Sequence, residues 1–129
     1  MTLKIAGAPY TLLYVDDVPA SAAKIATFLG VEPVHNEATF ALFIVAGGKL
    51  GLWRIGDVRP QASVRPGSAE FALAIEGGPA AVDAAFVKAK EIGLIPVQAP
   101  TAMDFGYTFT ACLEDGSRIR VFDAADDPR

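Results

Sequence analysis

The chain is poor in the side chains that carry most metal, redox and nucleophilic chemistry. Its 129 residues include one cysteine, one histidine, one tryptophan and two methionines. Cys112 has no partner for an intrachain disulfide, which fits a reducing compartment. It lies in the apolar run Phe109-Thr110-Ala111-Cys112-Leu113, where a buried structural thiol is expected, since nothing nearby in sequence would activate it. The single histidine, His35, excludes a histidine pair within one chain. No phosphate-binding glycine loop, Ser-His-Asp spacing, Cys-His pair or zinc motif occurs. Basic residues are few and scattered, 11 against 15 acidic ones, for a net charge of -4. Neutralising phosphates needs a basic face, so neither nucleic acid nor an anionic membrane surface is an expected partner. No window supplies the roughly 20 apolar residues of a membrane helix. The first nine residues lack the apolar core of a signal peptide, and a cytoplasmic location is expected.

What the chain does contain is an internal repeat. The first half reads Leu12-Leu13-Tyr14-Val15-Asp16-Asp17-Val18-Pro19, a helical stretch, then Gly30-Val31-Glu32-Pro33-Val34. The second reads Ala72-Leu73-Ala74-Ile75-Glu76-Gly77-Gly78-Pro79, a helical stretch, then Gly93-Leu94-Ile95-Pro96-Val97. Gly-x-x-Pro-Val follows each helix, and repetition at this scale is the signature of a duplicated unit. Each half ends in an expected hairpin, turning at Gly47-Gly48 and at Asp115-Gly116, dipeptides suited to positive φ.

The periodicities give a strand over 10–15, a helix over 19–29 and strands over 31–35, 39–45 and 49–54. Asp17 is placed to cap the first helix, Pro19 to sit in its first turn and Gly30 to end it. The stretch 55–67 carries two prolines and two glycines and reads as an exposed crossing. The second half gives a strand over 70–75, a helix over 79–92, and strands over 94–98, 107–113 and 118–122. A loop is expected over 100–106, and residues 123–129 read as an acidic, frayed tail. The fold class is therefore α+β: two tandem βαβββ units whose curved mixed sheets enclose a cleft. The 129 residues form one domain, with unit one over about 8–55, a linker over 56–67 and unit two over about 68–123.

This duplicated plan, with Tyr14-Val15-Asp16-Asp17-Val18-Pro19 opening one helix and Leu113-Glu114-Asp115-Gly116-Ser117-Arg118-Ile119-Arg120-Val121-Phe122 closing the last hairpin, resembles the glyoxalase / bleomycin-resistance / extradiol-dioxygenase superfamily, the vicinal oxygen chelate proteins. The resemblance runs from about Ala8 to Phe122. It implies a divalent metal held by His, Glu or Gln on the first and last strands of each unit. The positions that match are Tyr10, Gly51, Glu70 and Arg120. Glycine offers no ligand, and Arg120 has no acceptor and a permanent charge. No metal and no cofactor are therefore expected, even though the resemblance implies one. The resemblance also implies a homodimer, with the cavity within one chain or across two.

If the inward positions are retained, Tyr10, Glu70 and Arg120 face one space. Glu70 and Arg120 then form either a structural ion pair or a polar floor in which Arg120 holds a carboxylate or carbonyl oxygen. Tyr14, Phe40, Phe43, Trp53, Phe105, Tyr107 and Phe109 fall mainly on strands. Phe43 and Phe109 are expected in the core. Trp53 is a candidate stacking surface, with Gly51 leaving room for a ligand to approach the sheet. Met103 and Phe105 are apolar residues in the expected loop 100–106 and are candidates to cover a pocket. The expected ligand-binding set is Tyr10, Tyr14, Phe40, Gly51, Trp53, Glu70, Met103, Phe105, Tyr107 and Arg120. The resulting expectation is metal-free binding or sequestration of a small, planar, partly apolar molecule. The alternative is a lyase, isomerase or dioxygenase, with an atypical metal site or with acid–base work by Glu70 and Tyr10. An interaction module without a small ligand is a third reading.

Overall fold

The computed structural model describes residues 2–126, and Met1 and the last three residues of the expected tail lie outside the described residues. The chain divides into two compact units, Met1–Ser63 and Val64–Arg129. Both are βαβββ units with a mixed four-stranded sheet.

In the first unit, β1 (Tyr10–Val15) leads to α1 (Val18–Leu29), followed by β2 (His35–Asn36), β3 (Phe40–Val45) and β4 (Gly48–Arg54). The sheet order is β1-β4-β3-β2, with β1 parallel to β4 and the other pairs antiparallel. Asp17 caps α1: its carboxylate accepts the Ala20 backbone N–H at 3.0 Å, and Pro19 sits in the first turn. Gly30 ends the helix in the left-handed region at φ 69°, donating its N–H to the Ala26 carbonyl. Strand alternation separates two faces. Leu13, Val15, Ala41, Phe43, Leu50 and Leu52 are buried with Val18, Ala22, Ile25 and Phe28 of α1.

The second unit repeats this order as β5 (Glu70–Ile75), α2 (Gly78–Glu91), β6 (Ile95–Met103), β7 (Gly106–Cys112) and β8 (Arg118–Asp123). Its sheet order is β5-β8-β7-β6, again with only the first pair parallel. Phe109, Ala111, Ile119 and Val121 are buried with Val82 and Ala89 of α2, and the Phe86 and Phe109 rings meet at 5.2 Å. Phe43 and Phe109 are core residues, as their patterning implied.

Four local readings change. The first hairpin turns at Ala46-Gly47, because Val45 pairs with Gly48; Ala46 takes φ 49° and Gly47 φ 81°, the double positive φ of a two-residue turn. The strand expected over 31–35 shrinks to His35–Asn36 behind Pro33, which has no N–H for a ladder. The loop expected over 100–106 is mostly strand: β6 runs on to Met103, and only Asp104 and Phe105 form the turn. Within the expected tail, Ala124–Asp126 forms a short 3-10 turn.

Candidate functional site

Each sheet has one face covered by its helix and one face that is not. The helix-free face of the first sheet is built from three cross-strand rows. Tyr14, Trp53 and Phe40 are register partners, as are Leu12, Gly51 and Leu42, and as are Tyr10, Lys49 and Ile44. The first row is a run of edge-to-face aromatics. Tyr14 and Trp53 lie 6.3 Å apart at 81°, and Trp53 and Phe40 lie 6.4 Å apart at 89°, geometry that aromatic quadrupoles favour. His35 extends the run, 6.4 Å from Phe40, while its Nε2 lies 2.8 Å from Glu37 Oε1. The middle row closes over Gly51. A methyl placed there would meet Leu12 Cδ2 at 2.7 Å and two Phe40 ring atoms at 3.1 Å, so the room above the glycine is taken by the unit's own side chains. In the third row Lys49 Nζ lies 4.7 Å from the Tyr10 ring centroid, a cation–π contact. Tyr10, Leu12 and Ile44 are exposed, and Tyr14, Phe40 and Trp53 are half-buried.

The helix-free face of the second sheet is polar. Its rows are Glu70, Arg118, Cys112 and Ile95; then Ala72, Arg120, Thr110 and Gln98; then Ala74, Phe122, Thr108 and Thr101. Arg120 is the hub. Its Nε–H donates to Glu70 Oε1 at 2.5 Å, and its Nη1 donates to Gln98 Oε1 at 3.2 Å and Thr108 Oγ1 at 3.3 Å. Thr108 in turn donates its hydroxyl to the Val121 carbonyl at 2.8 Å, and Gln98 Nε2 donates to Met103 Sδ at 3.3 Å. The Phe105 ring lies 5.6 Å from the guanidinium carbon and meets Phe122 edge-on at 6.1 Å. The side chains of Arg120 and Glu70 are 18% and 32% exposed. Cys112 is half-buried on this face rather than sealed in the core.

Sequence position is thus informative about face. Tyr10 and Gly51 share the helix-free face of unit one, and Glu70 and Arg120 share the equivalent face of unit two. Tyr14, Phe40 and Trp53 join the first pair; Met103 and Phe105 stand at the β6–β7 end of the second. Tyr107 stands apart from the rest. It alternates with Phe109 and Ala111 toward α2, where its hydroxyl donates to Asp83 Oδ1 at 2.7 Å. That hydrogen bond, with burial and the negative charge of Asp83, raises the phenol above its ordinary 10.0. Gln98, Thr108, Lys49 and Leu12 belong to these faces and were not singled out. Parity along β1, β4 and β7 carries the signal for three of them. Gln98 was hidden because a register shift between Pro96 and Gln98 breaks the alternation along β6.

A divalent metal of the kind the resemblance implies does not fit these residues. Gly51 brings no ligand, Lys49 sits over Tyr10, and Glu70 is bonded to a permanent cation. Among the described residues no three His, Cys, Asp or Glu side chains gather.

Comparison with known proteins bears on the fold and the family. Neither a protein-family model nor a curated protein matches the chain. Among solved structures, the solution NMR structure of a protein from Agrobacterium tumefaciens is 44% identical over 92% of this chain and 98% of that one, with a TM-score of 0.81. The two belong to one family. A glyoxalase-related enzyme from Fulvimarina pelagi is 18% identical over 92% of this chain and 88% of its own, with a TM-score of 0.79. A glyoxalase / bleomycin resistance protein / dioxygenase from Nocardioides is 20% identical over 99% and 91%, with a TM-score of 0.69. The chain shares the fold of these glyoxalase-related proteins. One fold can serve several chemistries, so the fold alone leaves binding and catalysis open. Among the described residues no helix is long and apolar enough to cross a membrane.

Proposed function

We propose that this protein binds a small, planar, partly apolar molecule without a metal, and that binding rather than bond breaking is its activity. The observation that carries this reading is the Tyr14–Trp53–Phe40 run on the helix-free face of the first sheet. Three half-buried rings in edge-to-face order present a rigid apolar surface at little conformational cost, and Tyr10, Leu12 and Ile44 extend it. In the second unit one oxygen of Glu70, the candidate general base, is already bonded to Arg120, an arrangement better suited to holding a polar group than to moving a proton.

Trp53 reports directly on the reading. Planar aromatic antibiotics are a suitable probe panel, since they match the surface in size and flatness. Titration should quench or shift the fluorescence of Trp53, the chain's only tryptophan, and raise the melting temperature by mass action. Trp53→Ala should weaken the affinity of any binder by about 1–3 kcal/mol. A panel that leaves both fluorescence and melting unchanged, or a Trp53→Ala variant that binds equally well, refutes it.

A further inference from the structure

The cluster around Arg120 has a charge balance that selects what it can hold. A guanidinium has five N–H donors. Three groups of the second unit take Nε–H and Nη1, and among the described residues the two N–H bonds of Nη2 have no acceptor. Among the described residues Glu70 accepts through Oε1 alone, which leaves Oε2 able to accept. Thr110, the register partner of Arg120, is fully buried, and among the described residues its hydroxyl has no partner, so the cluster does not complete its own hydrogen bonding. One side of the guanidinium is covered by the Phe105 ring, itself exposed and backed by Phe122.

A lone arginine would read as a receptor for carboxylates. Glu70 alters that reading. The Glu70–Arg120 pair is neutral as a unit, and the neighbouring Arg118 is exposed with its charge screened by solvent, so a ligand carboxylate at Nη2 gains from Arg120, loses to Glu70 and still sheds its hydration. A neutral group with a carbonyl oxygen beside an N–H avoids this conflict. Its oxygen accepts from Nη2, its N–H donates to Glu70 Oε2, and no net charge is desolvated. The geometry points to a carboxamide-type site on the second unit: a primary amide, lactam or imide borne on a planar apolar ring that rests against Phe105. The site rests on the small-molecule reading above and gives the second unit a ligand class of its own.

Benzamide and benzoate test it, being alike in shape and different in charge. The observable is the Arg120 Nε–H resonance in nitrogen-15 spectra, assigned by its loss in Arg120→Lys. Benzamide should shift this resonance with an affinity about tenfold above that of benzoate, and its binding should not change between low and high salt. Glu70→Gln leaves the Arg120 charge uncompensated, so the preference should reverse in favour of benzoate. Benzoate binding as well as benzamide, no response to either compound, or salt-sensitive amide binding overturns the assignment. So does an unchanged preference in a folded Glu70→Gln protein; the wild-type selectivity and salt arms decide if that variant does not fold. Trp53 lies in the other unit, so the two readings fail separately. A lost Trp53 response with an intact Arg120 response removes the aromatic surface, and the converse removes the amide site.

Discussion

Replacing Gly51 by alanine sets three local energies against one another. In the interior of a strand, alanine in place of glycine gains about 0.5–1 kcal/mol through the unfolded chain. Gly51 lies in β4 and its φ is not in the left-handed region, so the backbone accepts a side chain. The space does not. Leu12 Cδ2 stands 2.7 Å from the new Cβ, and the leucine must turn toward solvent, which its 42% exposure permits. A forced rotamer change costs on the order of 0.5–1.5 kcal/mol. Phe40 stands at 3.1 Å and must retreat by a few tenths of an ångström from its position against Trp53. Losing part of an aromatic pair costs about 0.5–1.5 kcal/mol at most. The two losses exceed the gain, and Gly51→Ala should destabilise the protein by about 0.5–1.5 kcal/mol. Urea unfolding reads this as a lower midpoint with an unchanged slope. The decisive comparison removes both obstacles. In a Leu12→Ala, Phe40→Leu background the same Gly51→Ala change should become stabilising by about 0.5–1 kcal/mol. Stabilisation in the unaltered protein, or the same sign in both backgrounds, would refute the account of a roofed glycine.

Two further outcomes follow from single contacts. Asp17→Ala removes the carboxylate that accepts the Ala20 N–H and should lower stability by about 1 kcal/mol, with Asp17→Asn retaining most of it; equal losses in the two would point away from capping. Tyr107 is held above 10.0 by its hydrogen bond to Asp83, so the folded state keeps the phenol proton more firmly than the unfolded state does. Its contribution is complete below pH ~10 and is lost as pH rises through the folded value. Tyr107→Phe should therefore flatten the alkaline fall in stability, and the absorbance of tyrosinate should lose its latest-titrating component; an unaltered titration would refute the Asp83 contact.

The sequence carried the architecture because duplication doubles every local signal. Gly-x-x-Pro-Val follows both helices, and the Asp17 cap and Gly30 stop match their expected roles. Tertiary pairing decided what composition did not. A loop was expected from Pro100 onward, yet β6 runs through it as an edge strand, where a missing N–H on the open side costs no ladder bond. Register shifts between Pro96 and Gln98 and between Gln98 and Thr101 absorb the irregularity. The first of these shifts aligns Gln98 with Thr110, within reach of Arg120. The first turn shifted by one residue because register is set by the buried rows: Phe43 pairs with Leu50 and Ala41 with Leu52, and that register leaves Ala46 and Gly47 at the tip. Aromatic content named Tyr107 as a ligand contact, but parity with the buried Phe109 places it on the helix side.

The two units show how one backbone plan yields two unlike surfaces. Leu12 is the register partner of Gly51 in the first unit, and Ala72 is the register partner of Arg120 in the second. Each pair joins one large side chain to one small one, with the order reversed. A large residue at both positions would crowd the face, as the 2.7 Å approach of Leu12 to a methyl at Gly51 already shows. The small residue therefore determines what its neighbour can do. Glycine at 51 lets Leu12 and Phe40 lie flat over β4 and seal it with carbon. Alanine at 72 leaves Arg120 free to cross diagonally to Glu70 and, on its other side, to reach Thr108 and Gln98. Apolar stacking and hydrogen bonding thus arise from the same topology by exchange of volume between adjacent strands.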